Sequence, residues 1–320
     1  MNVGFIGLGN VGGKLSGSLL RGGIPLTVFD LDTAAMKPLV DAGAKPGISP
    51  EAMAREADVV ITCLPSPAIS AEVLESDKGL LKGLGPGKIW AEMSTTDQAE
   101  VVRLGEKVAA LGARSIDCPV SGGCHRAATG NISIFAGADR DTFETMLPLL
   151  TIMGRQVLHT GELGSASVLK VITNYLATAN LVSLCEALAT AKVSGMDLGT
   201  AYEAIRISSG NSFVHETESQ VILNGSRDIS FTMGLVAKDI GLFNEVAKRA
   251  DLELELAPLL IDIFRDGISR YGDHELSPNI IRRIEDNASL DIRAPGFPPE
   301  MVDDEPHQTG FEVSGRRSES

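Results

Sequence analysis

A lysine and an asparagine stand one helical turn apart in an otherwise apolar part of the chain. Lys170 and Asn174 lie in the run 164–195, where leucine, valine, isoleucine and alanine dominate. Residues four apart share one face of a helix, so the two polar groups would point to the same side. A lysine buried in this way can exchange a proton with a substrate, because burial lowers its pKa. The alternative is a lysine whose stem packs while its ammonium group reaches water.

A serine followed by two glycines forms a second polar feature. Ser121, Gly122 and Gly123 follow the segment 114–120. Successive backbone N–H groups in such a turn can surround an anion, and the serine would add a hydroxyl donor. An ordinary turn is the alternative for so short a pattern.

A glycine-rich turn near the N-terminus has the spacing of a dinucleotide-binding fingerprint. Gly7, Gly9 and Gly12 form Gly-x-Gly-x-x-Gly between an apolar strand and a predicted helix. The first glycine permits a tight turn, the second lets the backbone approach a pyrophosphate, and the third lets helix and strand pack closely. The N-terminus of the helix would then face the phosphates. The residues expected to contact the cofactor here are Gly7, Gly9, Asn10, Val11 and Gly12.

A carboxylate at the end of the second strand indicates which dinucleotide binds. Residues 26–29 form an apolar strand, and Asp30 follows it directly. A carboxylate here accepts hydrogen bonds from the adenosine ribose and repels a 2′-phosphate. The sequence therefore favours NAD over NADP, with a simple turn residue as the alternative interpretation of Asp30.

The elements that must position these residues alternate between strand and helix. Further apolar strands are predicted at residues 57–64, 88–93, 114–117 and 131–137. This alternation is typical of a parallel sheet covered by helices on both faces. Ligands of such sheets bind at the carboxyl ends of the strands, so the loops at Leu64-Pro65 and 94–96, which include Thr95, are candidate nicotinamide contacts.

The second half of the chain is helical. Patterns with helical spacing are predicted at residues 198–208, 212–224, 233–250, 254–269 and 277–286. Lys238 lies on one of them and could be an active-site cation or a surface charge. We therefore predict an α/β domain over residues 1–162 and an all-helical domain over residues 163–290. The remainder, 291–320, is rich in proline and charge and is expected to be extended or disordered.

Composition limits the classes of partner. The chain of 320 residues has a formal net charge of −14, which argues against nucleic acid and anionic membranes as partners. Its four cysteines form no Cys-x-x-Cys pair and its histidines are scattered, so neither a metal site nor a disulfide framework is expected. No basic leader precedes the first strand, and no uninterrupted apolar run is long enough to cross a membrane. A cytoplasmic protein is the resulting expectation.

Four separate stretches together resemble one family, the β-hydroxyacid dehydrogenases, and within it the 3-hydroxyisobutyrate dehydrogenase branch. They are GFIGLGNVG at residues 4–12, DCPVSGG at 117–123, the segment 161–174 with its Lys-x-x-x-Asn core, and KDIGL at 238–242. The resemblance implies a Rossmann-type N-terminal domain, an all-α C-terminal domain and a long helix that joins them.

The resemblance also implies residue roles. Lys170 corresponds to the catalytic lysine and Asn174 to a substrate ligand. Ser121, Gly122 and Gly123 would bind the substrate carboxylate. Lys238 would lie near cofactor and substrate, and Thr95 near the nicotinamide ribose.

The chain departs from related patterns at a few positions. Tyr175 follows Asn174 where the family often has a second asparagine, and Cys118 and Cys124 replace small residues around the serine-glycine loop. Thr173 stands where 6-phosphogluconate dehydrogenases have a histidine, so that activity is not expected. Lys170 argues against the imine reductases, which share the architecture.

The sequence thus predicts a NAD-dependent dehydrogenase of a small 3-hydroxy acid, assembled as a homodimer or homotetramer and containing no metal. Alternatives are a reductase of a related semialdehyde or of a sulfonate- or phosphate-bearing analogue, and a protein that senses NAD without turning it over. Whether His125 and Arg126 bind a second anionic group stays open at this point.

Overall fold

The computed structural model describes residues 1–315 of the chain. The chain divides into two compact units. One consists of Met1–Lys170 together with the chain from Asp303 onward, and the other of Val171–Val302.

One sheet runs through the first unit. Within residues 1–315 its strands are β1 (Val3–Ile6), β2 (Leu26–Phe29), β3 (Lys45–Pro46), β4 (Val59–Thr62), β5 (Ile89–Glu92), β6 (Arg114–Asp117), β7 (Val120–Ser121), β8 (Ser133–Gly137), β9 (Gln156–Gly161) and β10 (Phe311–Val313). The order is β3-β2-β1-β4-β5-β6-β8-β9-β10, and β7 pairs with β8. Strand β8 is antiparallel to β6 and β7, and the other pairs are parallel. Strand β1 lies between β2 and β4, so the order of the strands reverses at β1. Open parallel sheets bind ligands at such a switch point.

Helices cover both faces of this sheet. They are α1 (Gly12–Arg21), α2 (Thr33–Asp41), α3 (Pro50–Glu56), α4 (Pro67–Glu75), α5 (Gln98–Ala109), α6 (Gly123–Thr129) and α7 (Arg140–Met153), with a short 3₁₀ turn at Leu80–Lys82. Neighbouring side chains of a strand enter opposite cores: Phe5 and Ile61 join one cluster, while Ile6, Val60 and Trp90 join the other. Because both faces are buried, the strands read as nearly continuous apolar runs.

A proline that follows strand β4 after a short loop begins a helix. The Ser66 hydroxyl accepts a hydrogen bond from the Ile69 N–H, and Pro67 is the first residue of α4. Proline fits the first turn of a helix because its missing N–H would have no partner there. The connection after β4 is therefore short and held at both ends.

The second unit is made of helices. After α8 (Ser165–Val193), which begins in the first unit, follow α9 (Leu198–Arg206), α10 (Phe213–Asn224), α11 (Met233–Arg249), α12 (Leu256–Tyr271), a 3₁₀ turn at Ser277–Ile281 and α13 (Arg282–Ala288). Leu188, Ile240 and Phe264 are completely buried in its core. The predicted pattern at 277–286 thus divides into a 3₁₀ turn and a short helix.

Helix α8 is long and apolar enough to cross a membrane by length and composition, although no uninterrupted apolar run predicts this. The core helix of a soluble protein meets the same criteria. Its first turn is tied to the sheet by Asp117, and it carries the buried Lys170.

The part of the tail that the structure describes is divided between the two units. Residues up to Val302 belong to the helical unit, whereas Phe311–Val313 adds strand β10 to the edge of the sheet beside β9. An ion pair between Arg140 and Glu312 also ties it to α7. The division between the two compact units falls after Lys170, inside α8. Residues 316–320 of the predicted tail lie outside the described residues.

Candidate active site

The glycine turn packs against the end of strand β4. A Cβ atom on Gly7 would lie 2.3 Å from the carbonyl oxygen of Cys63, and one on Gly12 would lie 2.0 Å from the carbonyl oxygen of Gly7. Gly7 also has a φ of +91°, which side chains disfavour. A Cβ on Gly9 would meet nothing within 4 Å, because this exposed glycine faces open space. Two glycines therefore close the turn, and the third leaves room for the pyrophosphate of a dinucleotide beside the start of α1.

The carboxylate of Asp30 supports this turn. One carboxylate oxygen accepts a hydrogen bond from the Leu8 N–H at 2.7 Å, and the other accepts from the Asp32 N–H at 2.9 Å. Each carboxylate oxygen can accept more than one hydrogen bond, so both contacts are compatible with ribose binding. The structure thus brings Asp30 and the glycine turn together, as the fingerprint predicts.

The loops after β4 and β5 are joined by a buried network. The Leu64 N–H donates to the hydroxyl of Ser94 at 2.7 Å, and that hydroxyl donates to the carboxylate of Glu92. The Ser94 N–H donates to the same carboxylate at 2.9 Å. Leu64 and Thr95 are therefore held on neighbouring loops at the carboxyl edge of the sheet, with Pro65 exposed beside them.

Glu92 itself is completely enclosed at the end of β5. Burial raises the pKa of its carboxyl group, while the hydrogen bonds from Ser94 oppose that rise. Its second oxygen, Oε2, has no hydrogen-bond partner among residues 1–315. A protonated Glu92 carries no charge to desolvate, which makes such a position tolerable.

Asp117 connects the end of β6 to the start of the lysine-bearing helix. Its carboxylate accepts hydrogen bonds from the N–H groups of Gly164 and Ser167, both at 2.7 Å, and from the Ser167 hydroxyl at 2.8 Å. Burial raises the pKa of Asp117, and these hydrogen bonds act against the rise. Position 137 requires glycine, because a Cβ atom there would lie 2.4 Å from the Asp117 carboxylate. Lys170, one turn further along α8, is buried.

The predicted anion loop adopts a conformation that needs its glycines. Gly122 has a φ of +130° and Gly123 a φ of +86°, and Ser121 precedes them at the end of β7. Two side chains of α6 fold back over the loop: Arg126 lies against Gly122, and the ring of His125 lies against Gly123. Burial lowers the pKa of His125, the charge of Arg126 lowers it further, and Asp303 opposes both.

In the helical unit, Asn174 and Lys238 meet at a common carboxylate. The Asn174 amide donates to Oδ2 of Asp239 at 2.5 Å, and the Lys238 ammonium lies 3.0 Å from Oδ1. Asp239 is almost completely buried, so its carboxylate fixes the direction of the Asn174 and Lys238 side chains. Tyr175, which replaces the family's second asparagine, stacks on Phe243 with ring centroids 4.2 Å apart.

Sequence reasoning missed three buried carboxylates that position the predicted residues: Glu92, Asp117 and Asp239. Each had a signal in the sequence, since Asp117 and Asp239 lie within the family motifs and Glu92 lies near the end of an apolar strand. It also missed helix α6, because no helical pattern was predicted for the residues after Ser121.

The fold and these residues define a Rossmann-type dinucleotide-binding protein with a helical second unit. The donor set fits NAD, because the turn leaves room at Gly9 and presents a carboxylate at Asp30. Among residues 1–315, no group of three histidine, cysteine, aspartate or glutamate side chains could hold a metal ion.

Comparisons with known proteins identify the family. A model of the NAD binding domain of 6-phosphogluconate dehydrogenase matches residues 2–161, and one described as NAD-binding of NADP-dependent 3-hydroxyisobutyrate dehydrogenase matches residues 164–284. The chain is 31% identical over 268 residues to 2-(hydroxymethyl)glutarate dehydrogenase of Eubacterium barkeri, covering 83% of this chain and 89% of that protein. It is 33% identical over 291 residues to NAD-dependent L-serine dehydrogenase of Pseudomonas aeruginosa, covering 89% and 97%.

A solved structure agrees with these matches. The crystal structure of 3-hydroxyisobutyrate dehydrogenase from Salmonella typhimurium superposes with a TM-score of 0.81 at 26% identity, over 88% of this chain and 99% of that one. The chain belongs to the β-hydroxyacid dehydrogenases, in the 3-hydroxyisobutyrate dehydrogenase-like branch. It is a NAD-dependent dehydrogenase, which removes support from the alternative of a non-catalytic NAD sensor.

Proposed function

We propose that the enzyme oxidises the hydroxyl group of a small 3-hydroxy acid, with Lys170 as the general acid and base. The observation that carries this proposal is a buried lysine on a helix whose first turn is fixed by Asp117. A lysine placed there has a defined position and little water around it, which general acid–base catalysis needs.

In the forward direction, Lys170 accepts the hydroxyl proton as the carbon–hydrogen bond of the same carbon breaks. NAD, held by the glycine turn and Asp30, would supply the acceptor for the hydride that leaves this carbon. The hydroxyl becomes a carbonyl group, and Lys170 returns the proton when the reaction runs as reduction of the semialdehyde. Lys170 must be neutral to accept a proton, and burial favours the neutral form of a lysine.

The substrate carboxylate binds to the Ser121 hydroxyl and to the N–H groups of Gly122 and Gly123. The positive φ angles of both glycines support this role, because they turn consecutive N–H groups out of the usual backbone directions. Fixing the carboxylate fixes the distance of the hydroxyl from the lysine, and such positioning contributes much of the rate.

The remaining predicted residues orient the substrate and the cofactor. Asn174 follows Lys170 by one turn of α8 and contributes an amide to the substrate, and its bond to Asp239 sets the direction of that amide. Lys238 shares the same carboxylate, and its assignment to the cofactor and substrate follows from the family resemblance. Thr95, Leu64 and Pro65 contact the nicotinamide half of the cofactor, supported by the Ser94–Glu92 network.

The substrate class is inferred from relatives whose names specify 3-hydroxyisobutyrate, L-serine and 2-(hydroxymethyl)glutarate. All three are acids with a hydroxymethyl group next to the carbon that bears the carboxylate. We infer the same arrangement in the substrate of this enzyme.

Assembly as a homodimer or homotetramer in the cytoplasm is part of the proposal. Leu256 and Leu259 are exposed on one side of α12, and Leu176 is exposed on α8. Exposed apolar side chains that together form one contiguous patch would mark a contact between subunits. Neither nucleic acid nor a membrane is expected as a partner of so acidic a chain.

A substrate panel with NAD tests the proposal. We expect NADH formation with 3-hydroxyisobutyrate or L-serine, and a lower rate with NADP because of Asp30. Ser121→Ala should raise the KM for the acid about tenfold while leaving the KM for NAD unchanged, since one charge-assisted hydrogen bond is lost. An unchanged KM for the acid would show that Ser121 does not bind the substrate carboxylate. If no acid of the panel produces NADH, the proposed reaction is contradicted.

A further inference from the structure

The C-terminal segment (residues 303–313) lies outside the region that the family models match, which ends at residue 284. It nevertheless packs onto α6, the helix that begins directly after Gly122. Arg126 of α6 is the point of contact. Its Cδ atom lies 3.3 Å from the position that a Cβ on Gly122 would occupy, and its guanidinium group donates to Glu305 at 2.7 Å.

Glu305 is itself held from several sides. Its second carboxylate oxygen accepts from Arg155 at 2.6 Å, and its backbone carbonyl accepts from the Asn131 amide at 3.0 Å. Asp303 accepts from the same amide at 2.7 Å and from the Thr129 hydroxyl. These contacts fix Glu305 in front of Arg126.

A glycine further along secures the segment to the sheet. A Cβ on Gly310 would lie 2.3 Å from the carbonyl oxygen of Gly154 and 2.4 Å from that of Thr151. The backbones approach so closely that no other residue fits without displacing the segment. Strand β10 follows directly and pairs with β9.

The segment changes the charge beside the candidate substrate loop. Arg126 and Arg155 would otherwise place two positive charges there, and the carboxylates of Asp303 and Glu305 balance them. A second negative group on a substrate would have to replace Glu305 at Arg126. Such a group would have to break the charge-assisted hydrogen bond between Arg126 and Glu305, and it would approach the carboxylates of Asp303 and Glu305.

We propose that Glu305, supported by Asp303, makes the enzyme selective for 3-hydroxy acids that carry a single negative charge. Glu305 acts by engaging Arg126, so it is a specificity-determining residue that does not touch the substrate. The proposal rests on the proposed function, which assigns the substrate carboxylate to Ser121, Gly122 and Gly123.

Two acids with the same hydroxymethyl core provide the test. 3-Hydroxyisobutyrate has one carboxylate, and 2-(hydroxymethyl)glutarate has a second one on its side arm. The measured quantity is kcat/KM for the dicarboxylate divided by kcat/KM for the monocarboxylate. The wild-type enzyme should favour the monocarboxylate.

Glu305→Gln should raise this ratio about fivefold, the size expected for one unit charge acting on another across a partly hydrated surface. The gain should shrink as ionic strength increases, which a purely structural effect would not do. Gly310→Val should raise the ratio as well, because it displaces the segment and removes Glu305 from Arg126. Glu312→Gln is the matched control: it removes the same charge from the same segment but at Arg140, and should leave the ratio unchanged.

A ratio that is the same in the wild type, Glu305→Gln and Gly310→Val would overturn the proposal while leaving the proposed function intact. An equal rise in Glu312→Gln, or a wild-type preference for the dicarboxylate, would also overturn it. If the wild-type enzyme oxidises neither acid nor any other 3-hydroxy acid, the proposed function fails and the inference fails with it.

Discussion

The ionisable side chains that matter most in this enzyme are almost completely removed from water. Lys170 is 8% exposed, Asp239 2%, Glu92 1% and Asp117 0%. Burying a charge costs several kcal/mol unless hydrogen bonds or a partner compensate. Backbone N–H groups compensate Asp117, and Asn174 with Lys238 compensate Asp239. Such concentrations of buried polar groups are typical of functional sites.

The carboxyl group of Glu218, which is partly buried in the helical unit, leads to a prediction about pH. Burial of its carboxyl group raises the pKa of Glu218 from the usual 4.5 to about 8. Between these values the native state binds more protons than the unfolded state, so this group lowers stability as pH rises from 4.5 to about 8. At pH 9 the free energy of unfolding of Glu218→Gln should therefore be larger than that of the wild type by on the order of 1–2 kcal/mol.

The difference between Glu218→Gln and the wild type should vanish near pH 4, and denaturant titrations across this range would measure it. Glu216→Gln, on the exposed side of the same helix, is the control and should follow the wild-type curve. Parallel pH curves for Glu218→Gln and the wild type would contradict the account of this group.

At the scale of elements, helix α8 depends on a residue from another element. Asp117, at the end of β6, accepts three hydrogen bonds from the first turn of α8. The sequence could supply the helix and the lysine, because periodicity is local. It could not supply this contact, since the residues are 47 and 50 positions apart.

Asp117→Ala should lower both stability and turnover. Three buried donors lose their acceptor, which should cost about 3 kcal/mol of unfolding free energy. The kcat should fall at least tenfold through the displaced lysine, while the KM for NAD changes little, because the glycine turn is untouched. Asp117→Asn keeps one acceptor oxygen, so its stability and its kcat should lie between those of the wild type and Asp117→Ala.

Asp139→Ala is a matched control for Asp117→Ala. Asp139 also caps a helix of the first unit, accepting from the N–H and the hydroxyl of Thr142. Its loss should cost about 1 kcal/mol without affecting kcat. If both variants reduce kcat equally, Asp117 has no particular role in placing Lys170.

The elements that sequence reasoning missed share a physical cause. Helix α6 is short, and its start at Gly123 needs a positive φ that only tertiary context imposes. Strand β10 has three residues and is stable only because β9 offers an edge for pairing. Local patterns carry little information about either. The long apolar strands β1, β4 and β5 were predictable because burial on both faces requires continuous apolar residues.

At the scale of the whole molecule, the chain does not divide where its composition changes. In the tail beyond residue 290, which was predicted to be extended or disordered, residues up to Val302 belong to the helical unit, and Phe311–Val313 joins the sheet of the first unit. The two chain segments that form the first unit are therefore far apart in sequence but are paired in one sheet. The order of the four family motifs and the class of each unit could be predicted from the sequence; the return of the chain to the sheet could not.

The central claim is that Lys170 transfers the proton in hydride transfer between a 3-hydroxy acid and NAD. The most direct measurement is the single-turnover rate of NADH formation in Lys170→Ala, with NADH affinity measured by fluorescence in the same preparation. Lys192→Ala serves as control, because Lys192 is exposed in the last turn of the same helix. We predict a rate about 10²–10⁴ lower in Lys170→Ala, with NADH affinity unchanged and Lys192→Ala equal to the wild type. A Lys170→Ala enzyme that forms NADH at the wild-type rate would contradict the account.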